Sequence, residues 1–189
     1  MKKLTQLFFA LIICVSFSKV FAQTQEEMKA WMDYMTPGAV HEMLAKSDGA
    51  WTGDNTFWMA PGAPPMSTKS EAVFSMIMGG RYQQGKHTGD MMGMPFEGMS
   101  LLGYDNAMNE FHSIWFDNMG TGIMFLKGKW DEATNSATLT GQMVDPETKQ
   151  LIDVREVFTM TDNDNHKMEM YFTKNGSEFK GMEILYKRK

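Results

Sequence analysis

Cysteine is almost absent from this chain, and the single one lies at position 14. One thiol cannot form an intramolecular bridge, so a disulfide framework is excluded. Zinc sites built from several cysteines are excluded for the same reason. The fold must therefore be stabilised by its hydrophobic core, which a chain of 189 residues is long enough to build within one domain.

Positive charge is also scarce. The chain has 18 Lys and Arg against 23 Asp and Glu, a formal net charge of −5 at pH 7. Its one basic run, residues 187–189, is predicted to be a solvated end. Phosphate backbones and anionic membrane surfaces repel an acidic chain. We therefore expect no nucleic-acid partner.

Long hydrophobic runs are missing as well. The apolar stretch 7–15 (LFFALIICV) is well short of the ~20 residues that span a bilayer. Lys2 and Lys3 precede it, and Ala22 stands at the end of a compact Val-Phe-Ala site. This pattern predicts a signal peptide over residues 1–22 and a periplasmic or secreted protein with no transmembrane segment after cleavage. A lipoprotein anchored through Cys14 is the alternative.

Cleavage after Ala22 gives a direct test of export. N-terminal sequencing of the exported protein should begin at Gln23, and the mature chain should contain no thiol. A retained Cys14 that carries lipid would establish the lipoprotein alternative instead.

The segment 23–47 is predicted to be helical. Thr24 and Glu27 have the spacing of a capping box, and Pro37-Gly38 divides the segment into two helices. We expect the helices to pack on the rest of the domain or to plug one end of it; a partner-binding arm is the alternative. The apolar stripe of the first helix, at i, i+3, i+4 and i+7, comprises Met28, Trp31, Met32 and Met35.

From residue 48 to the C-terminus, a turn signal arrives every ten or so residues. This spacing predicts an all-β fold, an antiparallel up-and-down barrel of about ten strands over 48–189. Closure would remove the exposed edges of the sheet. The predicted strands are 51–59, 66–78, 81–90, 96–104, 110–117, 123–130, 136–144, 150–161, 166–173 and 178–187.

Two sets of motifs resemble known families. The Gly49-Ala50-Trp51 sequence resembles the Gly-x-Trp signature of lipocalin-like barrels, in which the glycine permits a tight entry and Trp51 would close the base. Residues 37–188 resemble the domain-of-unknown-function family 1579 (DUF1579) of exported bacterial proteins. That resemblance implies a lipocalin-like, calycin-type barrel and no established activity, substrate or cofactor. The motifs that carry it are GAPPM (62–66), GGRY (79–82), GDMMGMPFEGMSLLGYDN (89–106), WFDNMGTGIM (115–124) and VREVF (154–158).

Methionine and histidine suggest metal chemistry only weakly. The cluster Met91, Met92, Met94 and Met99 offers thioethers, which favour Cu(I). Methionine is spread through the whole chain, however, as expected for a flexible filler of a core or pocket. The histidines at 41, 87, 112 and 166 lack metal-ligand spacing, although one of them could serve as a proximal haem ligand. We therefore expect no metal and no cofactor.

No catalytic constellation is evident in the sequence. Ser100, Ser113 and Thr121 do not lie in a nucleophile-elbow context. The Gly120 and Gly122 pair follows a strand without a helix, so it predicts a hairpin with positive φ rather than a phosphate loop.

Six side chains are candidates for binding a ligand inside the barrel. An arginine can capture a carboxylate with two hydrogen bonds, with a tyrosine beside it. An indole and a carboxylate on one strand face would give a stacking surface and an anchor. A salt bridge from Arg155 to a glutamate and a turn cap by Asp117 are the structural alternatives. The candidates are Arg81, Tyr104, Trp115, Asp117, Arg155 and Tyr171.

The leading hypothesis is non-enzymatic binding of a small apolar or amphipathic ligand, carboxylate-bearing or neutral, in the barrel lumen. The alternative is a structural or interaction domain whose barrel is filled by its own side chains. Haem or Cu(I) binding, and an enzyme of unknown substrate, are further alternatives. Accessible space inside the barrel separates the first two hypotheses.

Overall fold

The computed structural model describes residues 24–189, so the predicted signal peptide lies outside the described residues. The chain divides into two compact units after Thr36. In the first unit, helix α1 (Gln25–Met35) begins with the predicted capping box between Thr24 and Glu27. No side chain of α1 is buried, and its apolar stripe is exposed. No helix within residues 24–189 is long and apolar enough to cross a membrane.

The second unit contains helix α2 (Ala39–Ala45) and a closed antiparallel barrel of ten strands. Each strand pairs with its neighbours in the chain, and β1 pairs with β10 to close the sheet. The predicted fold is confirmed, and every strand begins and ends within two residues of its predicted bounds. The strands are β1 Gly49–Phe57, β2 Met66–Ile77, β3 Tyr82–Met91, β4 Met94–Asp105, β5 Glu110–Asp117, β6 Met124–Asp131, β7 Ser136–Asp145, β8 Gln150–Met160, β9 Asn165–Lys174 and β10 Ser177–Arg188.

Most hairpins turn through residues with positive φ, such as Asn109, Asn135 and Gly176. The prediction of positive φ at Gly120 and Gly122 is wrong, because neither glycine adopts it. The loop between β5 and β6 is instead held by Asn118, whose side-chain nitrogen donates to the Pro95 carbonyl at 3.0 Å while its oxygen accepts from the Glu97 N–H at 3.0 Å. Side-chain hydrogen bonds thus replace the expected glycine turn.

Helix α2 covers one end of the barrel, which we call the base. Leu44 of this helix is buried in a cluster with Phe111 and Leu139, side chains that point inward from the wall. The Gln83 side chain donates a 2.7 Å hydrogen bond to the Leu44 carbonyl at the C-terminal end of the helix, a carbonyl that also accepts from the Ser47 N–H. The base is therefore filled with apolar side chains and covered by a helix.

Trp51 is fully buried at the base, where its indole N–H donates to the Ser47 carbonyl at 2.9 Å. The His166 ring lies 4.3 Å from it between centroids, and the Arg188 guanidinium lies 4.3 Å from its ring centroid. Gly49 has a φ of +127°, and a Cβ there would lie 3.1 Å from Arg188 Nη1.

The prediction that residues 187–189 form a solvated end is wrong for Arg188. Its guanidinium donates hydrogen bonds to the carbonyls of Lys46, Asp48 and Asn163. Because β10 ends beside the start of β1, this arginine ties the last strand to the base of the barrel.

Candidate functional site in the barrel lumen

The inner wall of the barrel changes character along its axis. Inward-facing residues near the base, such as Phe111 and Leu126, are fully buried. Toward the opposite end, several inward-facing side chains are only half-buried, although the barrel is closed around them. Their accessible area therefore faces the interior, which we call the lumen. The half-buried lining there consists of aromatic and thioether side chains, among them Phe96, Trp115, Met124, Phe172 and Met182.

Trp115 faces the lumen in a fixed orientation. Its indole N–H donates a 2.7 Å hydrogen bond to the Asp117 carboxylate, and its ring is nearly parallel to that of Phe96. Gly98 on the neighbouring strand leaves room for this ring, because a Cβ there would lie 2.6 Å from it. Asp117 also accepts a hydrogen bond from the backbone N–H of Met119. Asp117 therefore caps the turn and positions the indole, and its carboxylate already accepts a hydrogen bond in each of these roles.

His87 lies beside Trp115 in the lumen wall, with ring centroids 5.0 Å apart. Burial lowers the pKa of its imidazole to about 4, so His87 is neutral at pH 7. Its Nε2 atom lies 3.3 Å from the hydroxyl of Ser100. His87 and Ser100 thus form an uncharged polar site among aromatic rings.

Glu156 was missed in the sequence analysis and faces the same interior. On β8 it lies opposite Leu139 on one side and Met170 on the other, both buried. No hydrogen bond or ion pair joins its carboxyl group to another part of residues 24–189. The carboxyl oxygens are nevertheless not among the fully buried, unpartnered atoms of these residues, so they retain accessible surface. The carboxyl group therefore borders open space within the barrel. Burial raises the pKa of Glu156 to about 7.

Tyr186 connects the acid to the aromatic side of the lumen. It is buried on β10, with the rings of Phe74 and His87 at centroid distances of 5.9 Å and 6.5 Å. Burial, followed by the negative charge of Glu156, raises the pKa of its phenol, which stays protonated at neutral pH. We call His87, Ser100, Trp115, Glu156 and Tyr186 the lumenal cluster.

The predicted arginine anchors do not face the lumen. Arg155 takes the outward phase of β8, where it forms two hydrogen bonds with Glu178 and lies 3.9 Å from the Tyr171 ring centroid. Arg81 is exposed in the turn between β2 and β3, where it donates to the Met78 carbonyl. Arg81, Arg155 and Tyr171 therefore do not lie in a lumenal site, contrary to the prediction from the sequence. The salt-bridge alternative applies to Arg155, because strand alternation puts this residue outside.

Lumenal positive charge is missing more generally within residues 24–189. The lysines and arginines of the strands face outward, except for two at the ends of the barrel. Lys174, at the far end of β9, pairs with Asp145 at 3.1 Å, and Arg188 lies at the base. The charge available to a molecule in the lumen is thus that of an acid.

The remaining candidates are dispersed. Tyr104 lies at the base, against the rings of Phe111 and His41. Met99 takes the phase opposite to Met91 and Met94, so the predicted thioether cluster does not converge on one point. Among the described residues, no group of three His, Cys, Asp or Glu side chains is arranged to hold a metal.

A concavity with a volume of about 380 Å³ lies on the outside of the barrel. Its wall includes Arg155 and Glu178, which are bonded to each other, together with Gln142, which donates to Asp153. The charged groups of this wall are thus already paired, unlike the carboxyl group of Glu156.

The closed antiparallel meander, its helix-covered base and its lined interior define a lipocalin-like barrel. The chain belongs to the family described as protein of unknown function (DUF1579), whose model matches residues 36–188. The family resemblance seen in the sequence is thereby confirmed.

The structure is also similar to the crystal structure of Rv2717c from M. tuberculosis, with a TM-score of 0.59 and 14% sequence identity. The similarity covers 82% of this chain and 99% of that one, and at this identity it shows the fold alone. No curated protein sequence matches the chain.

Proposed function

We propose that this barrel is an exported, non-enzymatic binding protein that holds a small apolar or amphipathic molecule in its lumen. The observation that carries the proposal is the half-buried inward lining, which includes Trp115 and Met182, in a barrel whose base is closed by α2 and Trp51. Ligand pockets are typically concave, mostly apolar and furnished with a few polar groups. Export rests on the pattern of residues 1–22.

Methionine suits this role because its flexible thioether adapts to irregular ligand shapes. Met168 and Met182 each pack against both hydrophobic clusters of the barrel, so they lie between the two clusters in the interior. The structural-domain alternative is favoured by the filled base, where Phe111 and Leu139 are buried.

A catalytic alternative rests on the contact between Ser100 and His87. An imidazole with a pKa of about 4 is a weak base, and no acid is hydrogen-bonded to it within residues 24–189. Hydrolysis therefore ranks below binding. A fluorophosphonate reagent would label Ser100 in a hydrolase and should leave this protein unlabelled.

Two substitutions on β10 test the binding proposal. Met182 faces the lumen, whereas Leu185 faces solvent and is 50% exposed. The uncharged fluorescent probe N-phenyl-1-naphthylamine should bind the unmodified protein saturably and be displaced by decanol. Met182→Trp should weaken probe binding by about tenfold because it fills the lumen, while Leu185→Trp should leave binding unchanged.

Urea unfolding of both variants would show whether each is folded under the binding conditions. Probe binding that is absent from the unmodified protein, or that Leu185→Trp weakens as much as Met182→Trp does, would support the structural-domain alternative.

A further inference from the structure

Among residues 24–189, the lumen contains one carboxyl group that makes no hydrogen bond or ion pair. Glu156 lies between Leu139 on β7 and Met170 on β9, both buried, and no hydrogen bond or ion pair joins its carboxyl group to another side chain of residues 24–189. A buried carboxylate without a counter-charge is costly, and proteins normally pair such a group. A ligand that supplied the missing charge would remove this cost.

The other polar groups of the lumen do not supply that charge. His87 is neutral near pH 7, and Tyr186 keeps its proton. His166 is also neutral and lies at the base against Trp51, while Asp117 is engaged with the Trp115 indole. Facing Glu156 there is thus no protein cation within residues 24–189.

Resting on the proposed function, we infer that the lumen selects amphipathic molecules that carry a protonated amine on an apolar body, with Glu156 as the partner of the ammonium group. A carboxylate-bearing ligand, as predicted from the arginines, would instead meet a like charge. The aromatic rings of Trp115 and Tyr186 suit the same ligand, because cations are attracted to ring faces. The half-buried methionines would contact its apolar body.

A matched set of ligands tests this inference. Decylamine, decanol and decanoate share one tail and differ in the head group. In displacement of N-phenyl-1-naphthylamine at pH 8, decylamine should bind about tenfold more tightly than decanol, because a hydrogen bond to a charged group is the stronger kind. Decanoate should bind most weakly.

Two variants of β8 identify the responsible group. Glu156→Gln should remove the preference for decylamine over decanol while preserving decanol binding. Asp153→Asn removes a carboxylate from the outer face of the same strand and should leave the preference intact. Urea unfolding verifies that both variants are folded.

A second measurement uses the unmodified protein alone. Binding of an ammonium ligand at pH 7 should ionise Glu156 and release its proton, since the pKa of the free group is about 7. Calorimetric titrations of decylamine in two buffers of different ionisation enthalpy would detect this proton, and decanol should release none.

The outcomes separate the two claims. Equal affinities of decylamine and decanol, or a preference that survives Glu156→Gln, would overturn the role of Glu156 and leave lumenal binding standing. Failure of the probe and all three ligands to bind would overturn the proposed function and the inference with it.

Discussion

Replacing Trp51 by alanine is expected to lower the free energy of unfolding by about 3–5 kcal/mol, the usual range for truncating a fully buried large aromatic. The indole is completely buried, contacts His166 and Arg188, and donates a hydrogen bond to Ser47. Its removal would leave a cavity at the point where the first and last strands meet. Urea unfolding followed by circular dichroism measures this loss.

Trp31→Ala is the matched control, because that tryptophan is 55% exposed on α1 and its removal should change stability by less than about 0.5 kcal/mol. Trp51→Ala should also raise the pKa of His166, which burial and the nearby Arg188 charge hold at about 4. A loss of stability below about 1 kcal/mol would contradict the role of Trp51 in closing the base.

Glu156→Gln is expected to stabilise the protein at pH 8 by roughly 3 kcal/mol, which corresponds to about 1.36 kcal/mol for each unit of pKa shift. The pKa of Glu156 is raised from 4.5 to about 7 on folding. Folding therefore favours the protonated carboxyl group. The stability that this protonated group contributes is lost as pH rises from about 4.5 to about 7. Glutamine carries no charge at any pH and escapes this loss.

The pH profile gives the sign of this effect. At pH 4.5 and below, the two proteins should be about equally stable, and the variant should gain between pH 4.5 and 7. His87 and His166 have lowered pKa values, so both proteins should lose stability together as pH falls from 6.5 towards 4. That loss cancels when the variant is compared with the unmodified protein.

Urea unfolding from pH 4 to 9 measures these differences, with Asp153→Asn as the control that removes an exposed carboxylate from the same strand. A stability difference that does not change with pH would mean that Glu156 is solvated in the folded protein. The lumen would then be wet enough for a carboxylate to need no partner.

The strands could be predicted from sequence because their limits are set locally. Residues such as Asn109 and Asn135 adopt positive φ at hairpins, and their spacing marks the strands between them. The β5–β6 connection lacked this local chemistry, because Asn118 holds it through contacts with residues more than twenty positions away. The glycines there were accordingly misinterpreted.

The site was only partly predictable. Strand alternation and the turn at residue 118 made Trp115 and Asp117 visible candidates, and both face the lumen side of β5. Glu156 shares its phase with Val154 and Phe158, which is the signal that could have revealed it. Val157 on the outward face blurred the pattern. When apolar residues occur on both faces of a strand, the sequence does not show which face a single acidic residue occupies.

Contacts between distant parts of the chain were the hardest to foresee. Arg188 contacts Trp51 because β10 pairs with β1 to close the barrel. This pairing brings the two ends of the domain together. Nothing in the neighbouring residues 187 and 189 distinguishes this arginine from a solvated charge. Arg155, in contrast, has its partner Glu178 on β10 beyond the intervening strand.

The methionine content of the chain offers the most direct test of the lumenal site. With the methionine methyl groups labelled with carbon-13, titration with decanol can be followed by NMR at each methionine. We expect shifts at the inward-facing Met168, Met170 and Met182, and none at the exposed Met59 and Met92. Shifts confined to the exposed methionines, or no saturable shift at all, would contradict a binding site inside the barrel.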